Sequence, residues 1–176
     1  YSRAERNANA GIVVGITPDD YTGGPLAGIA FQRHWESKAF EVGGRTYAAP
    51  AQTVGDFLAG KASTSLGSVV PSYRPGVTPT DLSLCLPDFA VTAIREALPQ
   101  FERRIRGFSM ADAVMTGVET RTSSPIRIHR DETFQSPNTR GLYPAGEGGG
   151  YAGGILSAGV DGVRVAEAVA LSFAKG

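Results

Sequence analysis

The chain has 176 residues, enough for one globular domain or for one domain with a piece of another. Apolar residues make up 41% and charged residues 19%, which excludes a disordered chain, and 17 Lys and Arg balance 17 Asp and Glu, so no net field draws the protein to nucleic acid or an anionic membrane. A single cysteine and two histidines exclude an intrachain disulfide and a multi-cysteine metal site, while 23 glycines are an excess that gathers toward the C-terminus.

The sequence opens on the polar stretch YSRAERNANAG, which lacks both an initiator Met and the apolar core of a signal peptide. The expectation is a soluble, cytoplasmic fragment of a longer polypeptide. Residues 10–16 (AGIVVGI) form a β-branched run closed by Thr17, Pro18, Asp19 and Asp20, and read as a strand ending in a turn. Residues 25–42 space Leu26, Ile29, Ala30, Trp35, Ala39 and Phe40 as a helix does, with Gly43 and Gly44 as the stop. Residues 45–49 read as a brief strand, and residues 52–59 as one or two helical turns ended by Gly60.

Residues 61–80 contain Pro71, Pro75 and Pro79 and read as coil, either a surface connector or a loop that gates a substrate. Thr80 or Asp81 caps the short turn DLSLCL. Pro87 and Asp88 then open a helix carried by Phe89, Val91, Ile94, Leu98 and Phe101, which Pro99 is expected to break or kink. Arg103, Arg104 and Arg106 suit its C-terminal end, where the helix dipole favours cations. Residues 113–130 read as two strands, around Val114 and Val118 and around Ile126 and Ile128. The polar sequence Thr120 to Pro125 between them is either a satisfied turn or a loop facing a ligand. His129 reads as a surface residue.

Residues 141–145 read as a short strand, residues 146–154 as a turn with six glycines in nine positions, and residues 155–174 as a helix. Asp161, Arg164 and Glu167 keep that helix from reading as a bilayer span. Gly159 and Gly162 each cost roughly 1 kcal/mol against Ala inside a helix, so a close neighbour is expected there. Glycines let backbone N–H groups approach a bulky ligand, and the N-terminus of the following helix suits a phosphate. Gly148, Gly150 and Gly153 satisfy G-x-G-x-x-G, but the chain ends with the helix and offers no second strand bearing an acidic residue. The match is therefore expected to be coincidental rather than the ADP-binding start of a Rossmann fold. Glu147 would repel a phosphate, so it either points toward ribose-like hydroxyls or a neighbouring backbone, or is a solvent-exposed turn residue.

The stretch NTRGLYPAGEGGGYAGGILSAGVDGVRVAEAV resembles the C-terminal flavin-binding return of two-dinucleotide-binding-domain flavoproteins. PAQTVGDFLAG, PSYRPGV, TGVETRTSSPIRI and GLYPAGEGGGYAGGILSA resemble stretches of bacterial FAD-dependent dehydrogenases of the NAD(FAD)-utilizing group, distantly similar to BaiN-like flavoproteins. The resemblance implies that residues 1–119 are the latter part of an inserted substrate-side domain and residues 120–176 the flavin-binding return. It implies that Arg121, Thr122, Ser123 and Ser124 lie near the flavin, and that Gly146, Glu147, Gly148 and Gly149 approach its ribityl–phosphate arm. Tyr151, Gly153 and Gly154 would stand at the helix start. FAD would be the cofactor of the full-length parent and absent from this fragment alone, because an N-terminal Rossmann portion, its partner, would supply the flanking strands and the adenine contacts. No catalytic residue is identifiable, the substrate is an unknown small molecule, and the hydride chemistry would belong to the cofactor.

The expected fold is α+β, a small sheet with helices ending in a strand–glycine turn–helix unit. The final helix needs a partner for its small-residue face, from the inserted domain or from a second copy in a homodimer. Two other readings stand beside the flavoenzyme fragment: a non-catalytic nucleotide-binding or assembly domain, and a stand-alone fold whose glycine turn is structural.

Overall fold

A computed structural model describes residue 4 and residues 6–174. The fold is α+β, with four α-helices, a three-stranded mixed sheet and two short 3-10 turns among these residues. Two units make up the chain: Tyr1–Thr17 with Arg33–Val118, and Pro18–Gln32 with Glu119–Gly176. Helix α1 (Ala27–Val42) begins in the second unit and ends in the first.

In the first unit, strand β1 (Ala49–Thr53) is central, parallel to β2 (Val77–Pro79) and antiparallel to β3 (Val114–Thr116). Ala51 faces Pro79 on one side and Thr116 on the other. Pro79 is tolerated because β2 is an edge strand that needs no outward donor. The Gln52 side chain is fully buried and still satisfied, donating to the Lys61 carbonyl at 2.6 Å and accepting from the Leu82 N–H at 2.9 Å.

Helix α2 (Val54–Ala59) follows β1 directly, because the Thr53 hydroxyl caps it by accepting from the Asp56 N–H at 3.2 Å. Gly60 closes it in the left-handed region at φ 66°. Asp81 caps the 3-10 turn Leu82–Cys85 through the Ser83 N–H. Helix α3 (Asp88–Arg104) buries Ala90, Val91, Ile94 and Leu98, one face at three- and four-residue spacing. Val91, Ile94 and Leu98 join Ala39, Val54, Phe57, Leu82 and Cys85 in the core of the unit.

Several expectations change. Residues 10–16 are not a strand: Ile12 and Val14 pack on the core and Val13 is 76% exposed, as alternation requires, but no neighbour among the described residues pairs the backbone. Residues 45–48 form a turn rather than a strand, since Gly44 (φ 92°) and Arg45 (φ 59°) reverse the chain after α1, and β1 starts only at Ala49. The coil over 61–80 holds β2 at its end. Pro99 does not break α3, which continues to Arg104. The proline is exposed, and the neighbouring Leu98 is fully buried and anchors the helix.

In the second unit, α1 starts where Gly28 meets residue 125. A Cβ on Gly28 would lie 2.7 Å from the Pro125 carbonyl oxygen, and the Gln32 amide donates to the Thr120 carbonyl at 2.6 Å. Residues 126–128 and 141–145 are not strands, contrary to expectation. Ile126 lies in a bend and Gly141 (φ 81°) in a turn, and no strand ladder forms beside either segment among the described residues. Helix α4 (Ile155–Ala174) occupies the expected span. Gly159 and Gly162 have no atom within 4 Å of a built Cβ, so the close neighbour expected there is not among the described residues.

Candidate functional site

The turn between residue 145 and α4 is wound by its own backbone. The Gly149 N–H donates to the Ala145 carbonyl at 3.3 Å, Gly150 to Glu147 at 2.9 Å, and Tyr151 to Gly146 at 3.0 Å. Gly146 (φ 63°) and Gly150 (φ 80°) lie in the left-handed region. A Cβ on Gly150 would stand 2.5 Å from the Ile126 carbonyl oxygen, and one on Gly149 3.0 Å from the Ala145 nitrogen. These three glycines are required by the turn itself. The others are not: a Cβ on Gly148 would have nothing within 4 Å, and on Gly153 or Gly154 only a serine hydroxyl at 3.6 Å.

Behind the turn lies an ion pair. Arg130 donates through both terminal nitrogens to Asp161 of α4, at 2.9 and 2.6 Å, with the side chains 10% and 13% exposed. The same guanidinium donates to the Pro144 carbonyl at 2.8 Å and stacks on the Tyr151 ring, 3.6 Å from its centroid. Asp161 also accepts the Gly146 N–H at 2.8 Å. The hydrogen bonds from Arg130, with help from the Gly146 N–H, hold the Asp161 carboxyl down at about 2 against the opposing pull of burial. The Tyr151 hydroxyl accepts the Arg130 N–H and donates to the Ile128 carbonyl, both at 3.1 Å.

In front of the turn, Ser123, Ser124, Arg127, Gly150, Tyr151, Ala152 and Gly153 line an open cleft of about 310 Å³. Arg127 spans its wall, with its guanidinium 4.6 Å from the Tyr151 ring centroid and its Nε donating to the Gly150 carbonyl at 3.2 Å. Of the residues expected near the flavin, the structure gathers Ser123, Ser124, Tyr151 and Gly153 here. The Ser124 hydroxyl is engaged by the Ile126 carbonyl at 2.8 Å. Thr122 is exposed, and the Arg121 N–H donates to the Glu119 carboxylate at 2.7 Å. Gly146 and Gly149 are buried within the turn, while Glu147 is half-buried and Gly148 exposed at its tip. Gly154 joins the turn to α4, its carbonyl accepting from the Ala158 N–H at 2.8 Å.

Arg127, Arg130 and Asp161 were not singled out from the sequence. The signal for them was a lone carboxylate in the apolar run 155–163 and two arginines alternating with isoleucine in PIRIHR. No cluster of three or more His, Cys, Asp or Glu side chains able to hold a metal occurs among the described residues, and no helix there is long and apolar enough to cross a membrane.

Residues 1–122 match the family described as FAD-dependent protein, C-terminal domain-like. The chain belongs to this family. It is also 49% identical over 174 residues to an uncharacterized protein of Clostridium beijerinckii (strain ATCC 51743 / NCIMB 8052), an alignment that covers 98% of this chain and 33% of that relative. The chain thus spans about a third of the relative's length.

A family that depends on FAD raises the question of whether the residues here suit it. Among the described residues, the N–H groups of Ala152, Gly153 and Gly154 meet no acceptor, and they lead into the N-terminus of α4. Unengaged donors, a dipole end and Arg127 nearby suit a phosphate-bearing group. The bare tip at Gly148 leaves room for a large ligand to approach the main chain. The donor set fits.

Proposed function

We propose that the chain is part of an FAD-dependent oxidoreductase, in which residues 121–124 lie near the flavin, residues 146–149 approach its ribityl–phosphate portion, and Tyr151, Gly153 and Gly154 stand at the helix start beside it. The reading is carried by the glycines that the turn itself does not need: Gly148, Gly153 and Gly154 are free of side chains without a reason inside the described residues, and the last two adjoin unengaged N–H groups. A close ligand supplies the reason. Bound FAD would supply hydride transfer to or from a reduced nicotinamide or a small organic substrate. The residues of this chain would bind and orient it, with the Gly153 and Gly154 N–H groups toward phosphate oxygens and Glu147 toward hydroxyls of the sugar chain. The finer placing among NAD(FAD)-utilizing dehydrogenases, distantly BaiN-like, rests on the motif resemblance, as does residues 1–119 being part of a substrate-side domain; a cytoplasmic location rests on the polar opening stretch and the lone cysteine.

The remainder of the polypeptide is the partner in this reading. Helix α4 leaves Ile155 92%, Leu156 85% and Phe173 81% exposed, with Val160, Val163 and Leu171 also bare. An apolar face of that extent calls for a cover. A counterpart of the two thirds of the relative that lies outside the match is the natural one. The isolated chain is then expected to bind FAD weakly and to purify colourless.

The test uses the full-length protein. Gly148→Val adds a side chain where the turn has space, so the expected result is loss of flavin absorbance, with the variant's apoprotein melting at the temperature of wild-type apoprotein. Wild-type flavin content in that variant would refute the reading. If changes on α4 then dissociated an assembly with flavin untouched, the assembly-domain reading would take its place.

A further inference from the structure

Arg130 holds both ends of the glycine turn at once. Through Nη1 it reaches the Pro144 carbonyl at the entrance, and through Asp161 it reaches the Gly146 N–H. Its guanidinium carbon lies 3.6 Å from the Tyr151 ring centroid and 4.7 Å from that of Phe134. An ion pair this sheltered adds little net stability over an apolar pair, but a forked guanidinium on a carboxylate fixes orientation closely. Its partners Pro144 and Tyr151, and the Gly146 N–H held by Asp161, belong to the entrance and body of the turn that carries Gly148, the Gly153 and Gly154 N–H groups and the cleft wall.

We propose that Arg130, acting through Asp161, is a positioning residue that presets the turn in its cofactor-receiving shape before the ligand arrives. The inference rests on the cofactor reading above and adds the residue that tunes it. A turn that holds the competent shape only a tenth of the time binds about tenfold more weakly, because apparent affinity falls with the competent fraction. Loss of the fork should therefore weaken binding while leaving the bound geometry alone.

The experiment titrates FAD into deflavinated full-length protein for the wild type, Arg130→Met, Arg130→Lys and Gly148→Val, and records the visible circular dichroism of bound flavin. The expected result is a rise in the FAD dissociation constant of about tenfold or more in Arg130→Met. The spectrum at saturating FAD should match the wild type, and Arg130→Lys should be intermediate, since an ammonium keeps the charge but not the fork. A residue that served stability alone would lower the melting temperature of the apoprotein and leave the affinity of folded protein unchanged. Wild-type affinity in Arg130→Met alongside loss of binding in Gly148→Val overturns the positioning role and leaves the cofactor site standing. Wild-type affinity in both variants overturns the cofactor reading and this one with it. Should Arg130→Met fail to fold, Arg130→Lys decides: wild-type affinity there overturns the proposal.

Discussion

Asp161→Asn isolates the ion pair behind the glycine turn with almost no change in shape. A carboxyl held at about 2 in the folded chain, against an ordinary 3.8, contributes at most about 2.5 kcal/mol at neutral pH, at about 1.4 kcal/mol per pH unit. Solvent reaching the partly exposed pair lowers that ceiling. Because folding depresses the proton affinity, the contribution is fully present above the unfolded value and disappears as pH falls through the folded one. About half of it is gone by pH 3. Hydrogen-exchange mass spectrometry of peptides covering residues 130–165 reads the local opening free energy directly. At pH 7 the variant should open more easily by up to about 2.5 kcal/mol, and the two proteins should converge as pH drops from 4 toward 2. A difference that stayed constant across that range would mean that the charge of Asp161 contributes nothing and that the loss is one of packing.

Gly150→Ala forces a side chain into the left-handed region and onto the Ile126 carbonyl, so thermal melts should show a loss of about 1–3 kcal/mol, whereas Gly148→Ala should melt within about 0.5 kcal/mol of wild type. Cys85 is fully buried and burial pushes its thiol up to about 11; a disulfide reagent at pH 8 should leave it unmodified until urea unfolds the chain, and rapid labelling of folded protein would contradict its place in the core. Leu156→Lys with Phe173→Lys should abolish self-association of the isolated chain in sedimentation, if the bare face of α4 is sticky; unchanged sedimentation would count against that face as a contact surface.

The elements that were legible in the sequence are those with local causes. The Thr53 cap and Gly60 stop bound α2, the spacing of Val91, Ile94 and Leu98 carries α3, and the run after the glycine turn is helical over its full expected length. The failures share a cause as well. Residues 10–16, 126–128 and 141–145 have strand-like composition, but a strand exists only where another backbone pairs it, and pairing is not written in the segment. Pro99 differs in the other direction: the break it could have caused does not occur, and α3 runs on past the fully buried Leu98 beside it to Arg104.

The glycine turn shows the same division. Its existence, its place before a helix and its suitability for a phosphate follow from residue types alone, because the missing Cβ and the helix dipole are local properties. Which of its glycines the turn needs, and which remain for a ligand, depends on distances to residues 126, 127 and 145, far or near in sequence. The pairing of Arg130 with Asp161, thirty-one positions on, was likewise decided only when the chain folded, since a charge pair is specified by the geometry that brings it together and by the water that geometry removes.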